Sequence, residues 1–254
     1  MHRCLIVLAA AGWVLSAFAS SFAAETAPDV KTIVTAMDRL YRADNSYAEL
    51  EMRVENPNYQ RTLTLNVWSE GMKRTFIRIL GPAKDRGVAT LRSGTEMWNY
   101  FPKIDKVMKV PPSMMMGSWM GSDFTNDDLV KETSLLADYD AKLLPAPAGD
   151  QGHYYIELIP KAQTASVWGK IIAVVAQADY LPVRDEYYDE KGAKLRLIEF
   201  QDVKEFGGKR IPSEMVLTPL NKPGNRTVIR YLKARFNAGV PADTFTLRNL
   251  QKKI

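Results

Sequence analysis

Two stretches near the start of the chain alternate apolar and polar residues with a period of two, and this pattern constrains the fold more than any other feature. The two apolar series are Ala48, Leu50, Met52, Val54 and, beyond a turn at residues 56–58, Leu63, Leu65, Val67. Because successive side chains of a β-strand point to opposite faces, each series predicts a strand with one apolar face. The short turn between them predicts an antiparallel hairpin.

The same pattern continues along most of the chain. Turn-forming residues recur at 70–71, 81–82, 93–94, 102–103, 190–192, 207–208 and 222–224. Later strands are predicted near Ala141 and over residues 154–159, 167–176, 183–188, 193–200, 210–217 and 227–236. We therefore predict about eleven antiparallel strands in one continuous meander. The loop at residues 145–150 is too short to separate two domains, so residues 25–254 are expected to form a single domain.

Two segments have the composition needed to cover the apolar face of such a sheet. Residues 29–43 carry apolar side chains at helical spacing, which predicts one amphipathic helix. Residues 111–130 fit no strand, and their last part, 124–130, predicts a short helical turn. The expected fold is mainly β, of the α+β class: an incomplete antiparallel sheet covered by an N-terminal helix and a short helical lid.

The first residues are typical of a secretory signal. A basic start at residues 1–3 precedes an apolar run at 4–18 and then small residues, so residues 1–24 predict a cleaved signal peptide, with cleavage within residues 19–24. The protein is therefore expected in the periplasm. Cys4 would leave with the signal, which excludes a disulfide scaffold for the mature chain. The formal net charge of +5 is too small to favour nucleic acid as a partner.

The segment from Met108 to Leu129 is unusually rich in sulfur and aromatic side chains. It contains Met108, Met114, Met115, Met116, Trp119, Met120 and Phe124, and two glycines, Gly117 and Gly121, interrupt it. Methionine clusters can repack around ligands of different shape. This property favours the interpretation that the segment is a movable gate that covers a binding cavity. The alternative is a plug that fills one end of the core. The sequence leaves both interpretations open.

Residues suited to catalysis are scarce in the mature chain. It has one histidine, His153, which lies beside Gly152 at a predicted strand start and is expected to be a turn residue. Asp127 and Asp128 are neighbours, whose side chains point apart, so helix capping is their expected role. No phosphate-binding glycine loop is present. The sequence therefore predicts no enzyme, no catalytic residues, no metal and no cofactor.

Three pieces of the middle region carry a family resemblance. They are Gly81-Pro82 with the following strand, the stretch "WNYFP" at 98–102, and "MGSDF" at 120–124 leading to Asp128-Leu129. The stretches "DYLPVRDEYYDEKGAKLR" and "NAGVPADTFTLRNL" extend it through the second half. Together they resemble the outer-membrane lipoprotein-sorting protein family, the LolA-like proteins, in its broader branch. Where the founding members carry an Arg-Pro segment on an early strand, this chain has Lys73-Arg74-Thr75, so lipoprotein or another lipid stays open as cargo.

The resemblance implies an incomplete β-barrel of about eleven strands, closed by helices around a hydrophobic cavity that carries lipid chains across the periplasm. It implies lipid or lipoprotein acyl chains as the ligand, a monomer, and an RND-type or ABC-type exporter or an outer-membrane acceptor as partner. A periplasmic regulator or sensor that binds a protein partner is the alternative. The residues expected to line and gate the cavity are Leu50, Met52, Leu63, Leu65, Val67, Met108, Met114, Met115, Met116, Trp119, Met120, Phe124 and Leu129.

Overall fold

A computed structural model describes residues 28–41, 43–130, 134–164 and 166–254. The predicted signal peptide at residues 1–24 lies outside the described residues. The thirteen strands are β1 (Asn45–Asn56), β2 (Tyr59–Glu70), β3 (Arg74–Gly81), β4 (Ala89–Ser93), β5 (Glu96–Phe101), β6 (Lys106–Lys109), β7 (Tyr139–Leu144), β8 (His153–Pro160), β9 (Lys170–Ala176), β10 (Pro182–Tyr188), β11 (Lys194–Phe206), β12 (Lys209–Pro219) and β13 (Arg226–Phe236). The helices are α1 (Val30–Arg39), a 3₁₀ turn (Pro112–Met114), α2 (Asn126–Val130), α3 (Leu135–Asp138) and α4 (Leu247–Leu250).

All thirteen strands form one antiparallel sheet in the order β6-β5-β4-β3-β2-β1-β13-β12-β11-β10-β9-β8-β7. The prediction of one continuous meander is wrong, because the sheet consists of two meanders, β1–β6 and β7–β13, that pair through β1 and β13. The mainly β, antiparallel character is confirmed. The residues that the structure describes form thirteen strands, whereas the sequence predicted about eleven.

Strands β3 and β4 are buried on both faces. Four consecutive residues of β4, Ala89 to Arg92, are buried, and so are the four from Phe76 to Ile79 on β3. A strand covered on both sides has no polar face, so its period-two pattern is lost. This explains why β3 and β4 lack the regular alternation seen in β1 and β2.

The strand order decides where the methionine-rich region runs. The chain leaves the sheet at one edge, after β6, and enters it again at the opposite edge, with β7. Among the described residues, these two edge strands do not pair with each other, so the sheet is open. The connection between them must therefore cross a face of the sheet. We call residues 108–129 the methionine segment, and the face that it crosses the inner face.

Helix α1 covers another part of the inner face. Its buried residues Ile33 and Val34 pack against β7, β8 and β9, with Tyr139, Leu158 and Ala173 among their neighbours. The Asp29 side chain accepts a hydrogen bond from the Lys31 backbone N–H and caps the first turn. The predicted N-terminal helix is therefore present, and it ends at Arg39.

The outer face of the sheet is covered near β3, β4 and β5 by the C-terminal region. Phe245 and Leu250 pack there on Phe76, Leu91 and Tyr100. The Arg78 guanidinium donates hydrogen bonds to the carbonyl oxygens of two residues of the tail, Asn249 and Lys252. Both faces of these strands are thus buried, the inner one under the methionine segment and the outer one under the tail.

Candidate functional site

Trp119 is the centre of the methionine segment. Its side chain is only 3% exposed and packs in one apolar cluster with β1 and β2 residues such as Met52 and Leu63. The indole Nε1 donates a hydrogen bond to Thr90 Oγ1 over 3.1 Å, which satisfies the polar atom of the buried ring. Trp119 therefore seals this part of the inner face from solvent.

The structure brings eight of the predicted ligand-binding residues together around the ninth, Trp119. Leu50, Met52, Leu63 and Leu65 are buried in its cluster, and partly buried Val67, Met115, Met120 and Leu129 pack against it. In this arrangement the strand residues are covered by the segment itself. For these residues to contact a ligand, the segment must move aside, so their binding role stays a prediction.

The remaining predicted residues lie elsewhere on the methionine segment. Met108, Met114 and Met116 are exposed, by 52%, 59% and 49%. Phe124 is partly buried, and its ring lies 5.6 Å from the centre of the Arg196 guanidinium. The exposed methionines lie at the surface, where they can contact a partner without any movement of the segment.

The two glycines of the segment have geometric roles. A Cβ on Gly117 would lie 3.0 Å from the carbonyl oxygen of Met114, which is tighter than ordinary van der Waals contact. Gly121 has a φ of +75°, in the left-handed region that glycine occupies without strain. Both positions are therefore explained by the turns around Trp119, whether or not the segment moves.

Polar contacts attach the segment to β13, in the middle of the sheet, and cap helix α2. Asp123 accepts a hydrogen bond from the Thr227 hydroxyl on β13 at 2.8 Å, and its backbone N–H donates to the same hydroxyl oxygen at 3.0 Å. Thr125 and Asp128 form a reciprocal cap at the start of α2, in which Asp128 Oδ2 accepts from the Thr125 N–H at 2.8 Å. Asp128 thus has the capping role expected from the sequence.

Asp128 also binds a buried arginine that the sequence did not single out. Both of its carboxylate oxygens lie 3.0 Å from Nη1 of Arg196 on β11, whose side chain is 7% exposed. The guanidinium lies 4.8 Å from the Tyr187 ring and 5.9 Å from the Trp168 ring. This ion pair joins the methionine segment to the second meander.

Asp185 on β10 lies near this arginine on the inner face. Burial raises the pKa of the Asp185 carboxyl to about 7, although the Arg196 charge acts in the opposite direction. Its Oδ1 atom and the Arg196 Nε atom are both buried without a hydrogen-bond partner among the described residues. We call Asp128, Asp185, Tyr187 and Arg196 the Arg196 cluster.

The central strands of the inner face are less completely covered than the parts under Trp119 and α1. The inward residues Phe200, Met215, Ile229 and Tyr231 are only partly buried. Tyr231 stacks on Tyr41 with ring centroids 5.7 Å apart, and burial raises the pKa of the Tyr231 hydroxyl to about 12. Ile229 and Tyr231 also pack against the Trp119 cluster, so this apolar and aromatic strip continues from that cover towards the part of the sheet under α1.

The sequence did not reveal the strip or the Arg196 cluster, because the face that each residue occupies depends on how distant strands pair. The register places Arg196 opposite Tyr187, and Ile198 opposite Asp185, so all four point to one face. Only this strand register shows that the charged residue Arg196 occupies an inward position. The sequence of β11 has apolar residues at both parities and gives no clear inward face.

Within residues 28–254, apart from the positions that the structure leaves undescribed, no cluster of histidine, cysteine and acidic side chains could hold a metal ion. In the same part of the chain, no helix has the length and apolar character needed to cross a membrane. His153 lies at the start of β8 with Nδ1 2.8 Å from Asp150, in keeping with the turn role expected for it.

Three solved structures are similar to this one. A DUF1329 family protein from Desulfovibrio piger is 23% identical with a TM-score of 0.77, over 87% of this chain and 98% of that chain. A putative outer membrane lipoprotein-sorting protein domain from Vibrio parahaemolyticus is 23% identical with a TM-score of 0.75, over 88% and 98%. A LolA superfamily protein from Nitrosomonas europaea is 20% identical with a TM-score of 0.72, over 88% and 100%.

These likenesses establish the fold. No curated protein matches the sequence. Residues 71–252 match a family model described as "Uncharacterized protein". Because this match covers more than half of the sequence, the chain belongs to that family, and its fold is the one shared with the LolA superfamily and the lipoprotein-sorting domains.

Proposed function

We propose that this protein is a periplasmic carrier that binds the acyl chains of a lipid or lipoprotein on the inner face of its sheet. The observation that carries the proposal is the strip at Phe200, Met215, Ile229 and Tyr231, which is only partly buried. The names of two structural neighbours, a lipoprotein-sorting domain and a LolA superfamily protein, support the same class of ligand.

The methionine segment acts as the gate in this proposal. Its contact with β1 and β2 is apolar around Trp119, so an acyl chain that displaces the indole replaces one apolar neighbour by another. Each buried methylene contributes about 0.8 kcal/mol, which gives a long chain ample free energy to offset the opened contact. Displacement of Trp119 would uncover Met52, Leu63 and Leu65, the residues predicted to line the cavity.

The exposed methionines are the proposed contact with the protein that delivers or receives the cargo. Met108, Met114 and Met116 project from the edge of the sheet and from the gate itself. Flexible, polarizable side chains are suited to partners of varied shape. The partner class is an RND-type or ABC-type exporter or an outer-membrane acceptor, and the carrier itself is expected to be a monomer.

The first test is native mass spectrometry with lipid extraction on protein purified from the periplasm. We expect a bound amphiphile, and we expect Trp119 fluorescence to change when fatty acid or phospholipid is added. The Trp119→Phe variant is the matched control, because it removes the reporting indole and leaves the other tryptophans. Recovery of no amphiphile, together with an unchanged signal that is the same in both proteins, would refute the carrier function.

A further inference from the structure

The Arg196 cluster contains two buried atoms whose hydrogen-bonding capacity is unused. Arg196 Nε is a donor and Asp185 Oδ1 is an acceptor, and neither has a partner among the described residues. Buried polar groups in folded proteins are nearly always paired, since an unpaired group loses its hydration without compensation. A donor and an acceptor left together on the inner face therefore indicate a ligand or water that bonds to both.

The two atoms belong to one place on the sheet. Arg196 lies opposite Tyr187 in the β10–β11 register, and Asp185 is two residues before Tyr187 on the same face. The two side chains are close enough for the guanidinium charge to act on the Asp185 carboxyl. Diagonal neighbours of this kind in an antiparallel pair lie about 7–8 Å apart at their backbones. A small polar group can contact both side chains across such a separation.

The surroundings favour a neutral group. Arg196 is already neutralised by the two Asp128 contacts at 3.0 Å, so it has little attraction left for a second anion. Above pH 7, where Asp185 is ionised, a carboxylate would leave the Asp185 oxygen without a donor, and an ammonium group would leave the Arg196 Nε without an acceptor. A hydroxyl group is both a donor and an acceptor, and it satisfies both atoms without adding a charge.

We propose that the Arg196 cluster binds the hydroxyl-bearing head of the amphiphile whose chain occupies the adjacent strip, with the hydroxyl donating to Asp185 Oδ1 and accepting from Arg196 Nε. A tyrosine pair lies beside this place. Tyr41 stacks on Tyr231 of β13, and the Tyr41 hydroxyl already donates a hydrogen bond to the Pro212 carbonyl at 2.9 Å, so it does not serve the Asp185 oxygen. The proposal rests on the acyl-chain binding proposed above and names the head that would accompany the chain.

The experiment compares three amphiphiles of equal chain length, monomyristoylglycerol, myristic acid and tetradecylamine, in titrations with the full mature protein. Monomyristoylglycerol is expected to bind about tenfold more tightly than either charged probe, the effect of one satisfied buried polar pair. In the Asp185→Leu variant this preference should disappear. The Asp185→Asn variant keeps an acceptor oxygen and should retain it. Thermal melting of each variant verifies that it is folded.

Each other outcome overturns the inference. Equal binding of all three probes would mean that water serves the two atoms, and tightest binding of the amine would make Asp185 a counter-ion alone. A preference that survives in Asp185→Leu would place the head elsewhere. If the three probes bind but do not differ, the carrier function stands while this inference falls. If none binds, both fall.

Discussion

Two of the attachments of the methionine segment to the sheet have opposite character. At β1 and β2 the contact is apolar and centres on Trp119, whereas at β11 it is a buried ion pair between Asp128 and Arg196. Apolar packing is non-directional, so an acyl chain can replace the indole. Nothing in an acyl chain can replace the Asp128 carboxylate. If the segment is the proposed gate, we expect its Trp119 end to open and its Asp128 end to stay attached to the sheet.

The largest effect is expected at the apolar attachment. Trp119→Ala removes a fully packed ring and should lower the free energy of unfolding by about 3–5 kcal/mol. Urea unfolding measures this loss, and excess myristic acid should restore part of it if a chain can occupy the vacated space. Trp119→Phe, which keeps most of the ring, should lose less. A loss that fatty acid does not restore would favour the core plug over the gate.

A comparable effect is expected at the ionic attachment. Arg196→Ala leaves Asp128, whose side chain is 19% exposed, without its partner and should cost up to about 3–5 kcal/mol of unfolding free energy, because a largely buried charge is left uncompensated. The matched control is Arg226→Ala, which breaks a more exposed pair with Glu55 at 2.8 Å and should cost about 0–1 kcal/mol. Added fatty acid should not restore the free energy of unfolding that Arg196→Ala loses, in contrast to its effect on Trp119→Ala. Similar losses of unfolding free energy in the two arginine variants would contradict the expectation that burial makes the Arg196 ion pair the more important one.

The Arg196 cluster should also give the protein a distinct pH dependence. Burial raises the pKa of Asp185 to about 7, so the folded state holds its proton more tightly than the unfolded chain does. This contribution to stability is fully present below the unfolded pKa and is lost as pH rises towards 7, by about 1.4 kcal/mol per pH unit. Asp185→Asn should remove this slope. Urea unfolding at several pH values between 4 and 8 checks it, and identical slopes in the two proteins would disprove it.

The smallest effect separates two neighbouring methionines of the methionine segment. Met115 packs against the Trp119 cluster, whereas Met116 is 49% exposed. Met115→Ser should lower the free energy of unfolding by about 1–2 kcal/mol and weaken fatty acid uptake. Met116→Ser should change stability by less than about 0.5 kcal/mol. Equal effects on uptake in fluorescence titrations would show that the segment does not bind its guest through its inward side chains.

The regular parts of the fold were predictable from local patterns. The alternation at Leu50, Met52, Leu63 and Leu65 placed these side chains on one face, and the structure pairs Leu50 with Leu65 and Met52 with Leu63. The helical spacing that begins after Asp29 identified α1. Such patterns are reliable because each depends only on the neighbours of a residue along its own element. The ligand-binding role given to these residues stays a prediction.

The amino-acid sequence by itself determined the mainly β class, the hairpin at β1 and β2, the leading helix and the unusual composition of the methionine segment. Only the tertiary structure decided that β1 pairs with β13, that the segment crosses from one sheet edge to the other, and that Asp128 meets Arg196, 68 residues away. The physical reason is that periodicity specifies which face a side chain occupies. The neighbour of each strand is chosen by long-range packing, which no local pattern encodes.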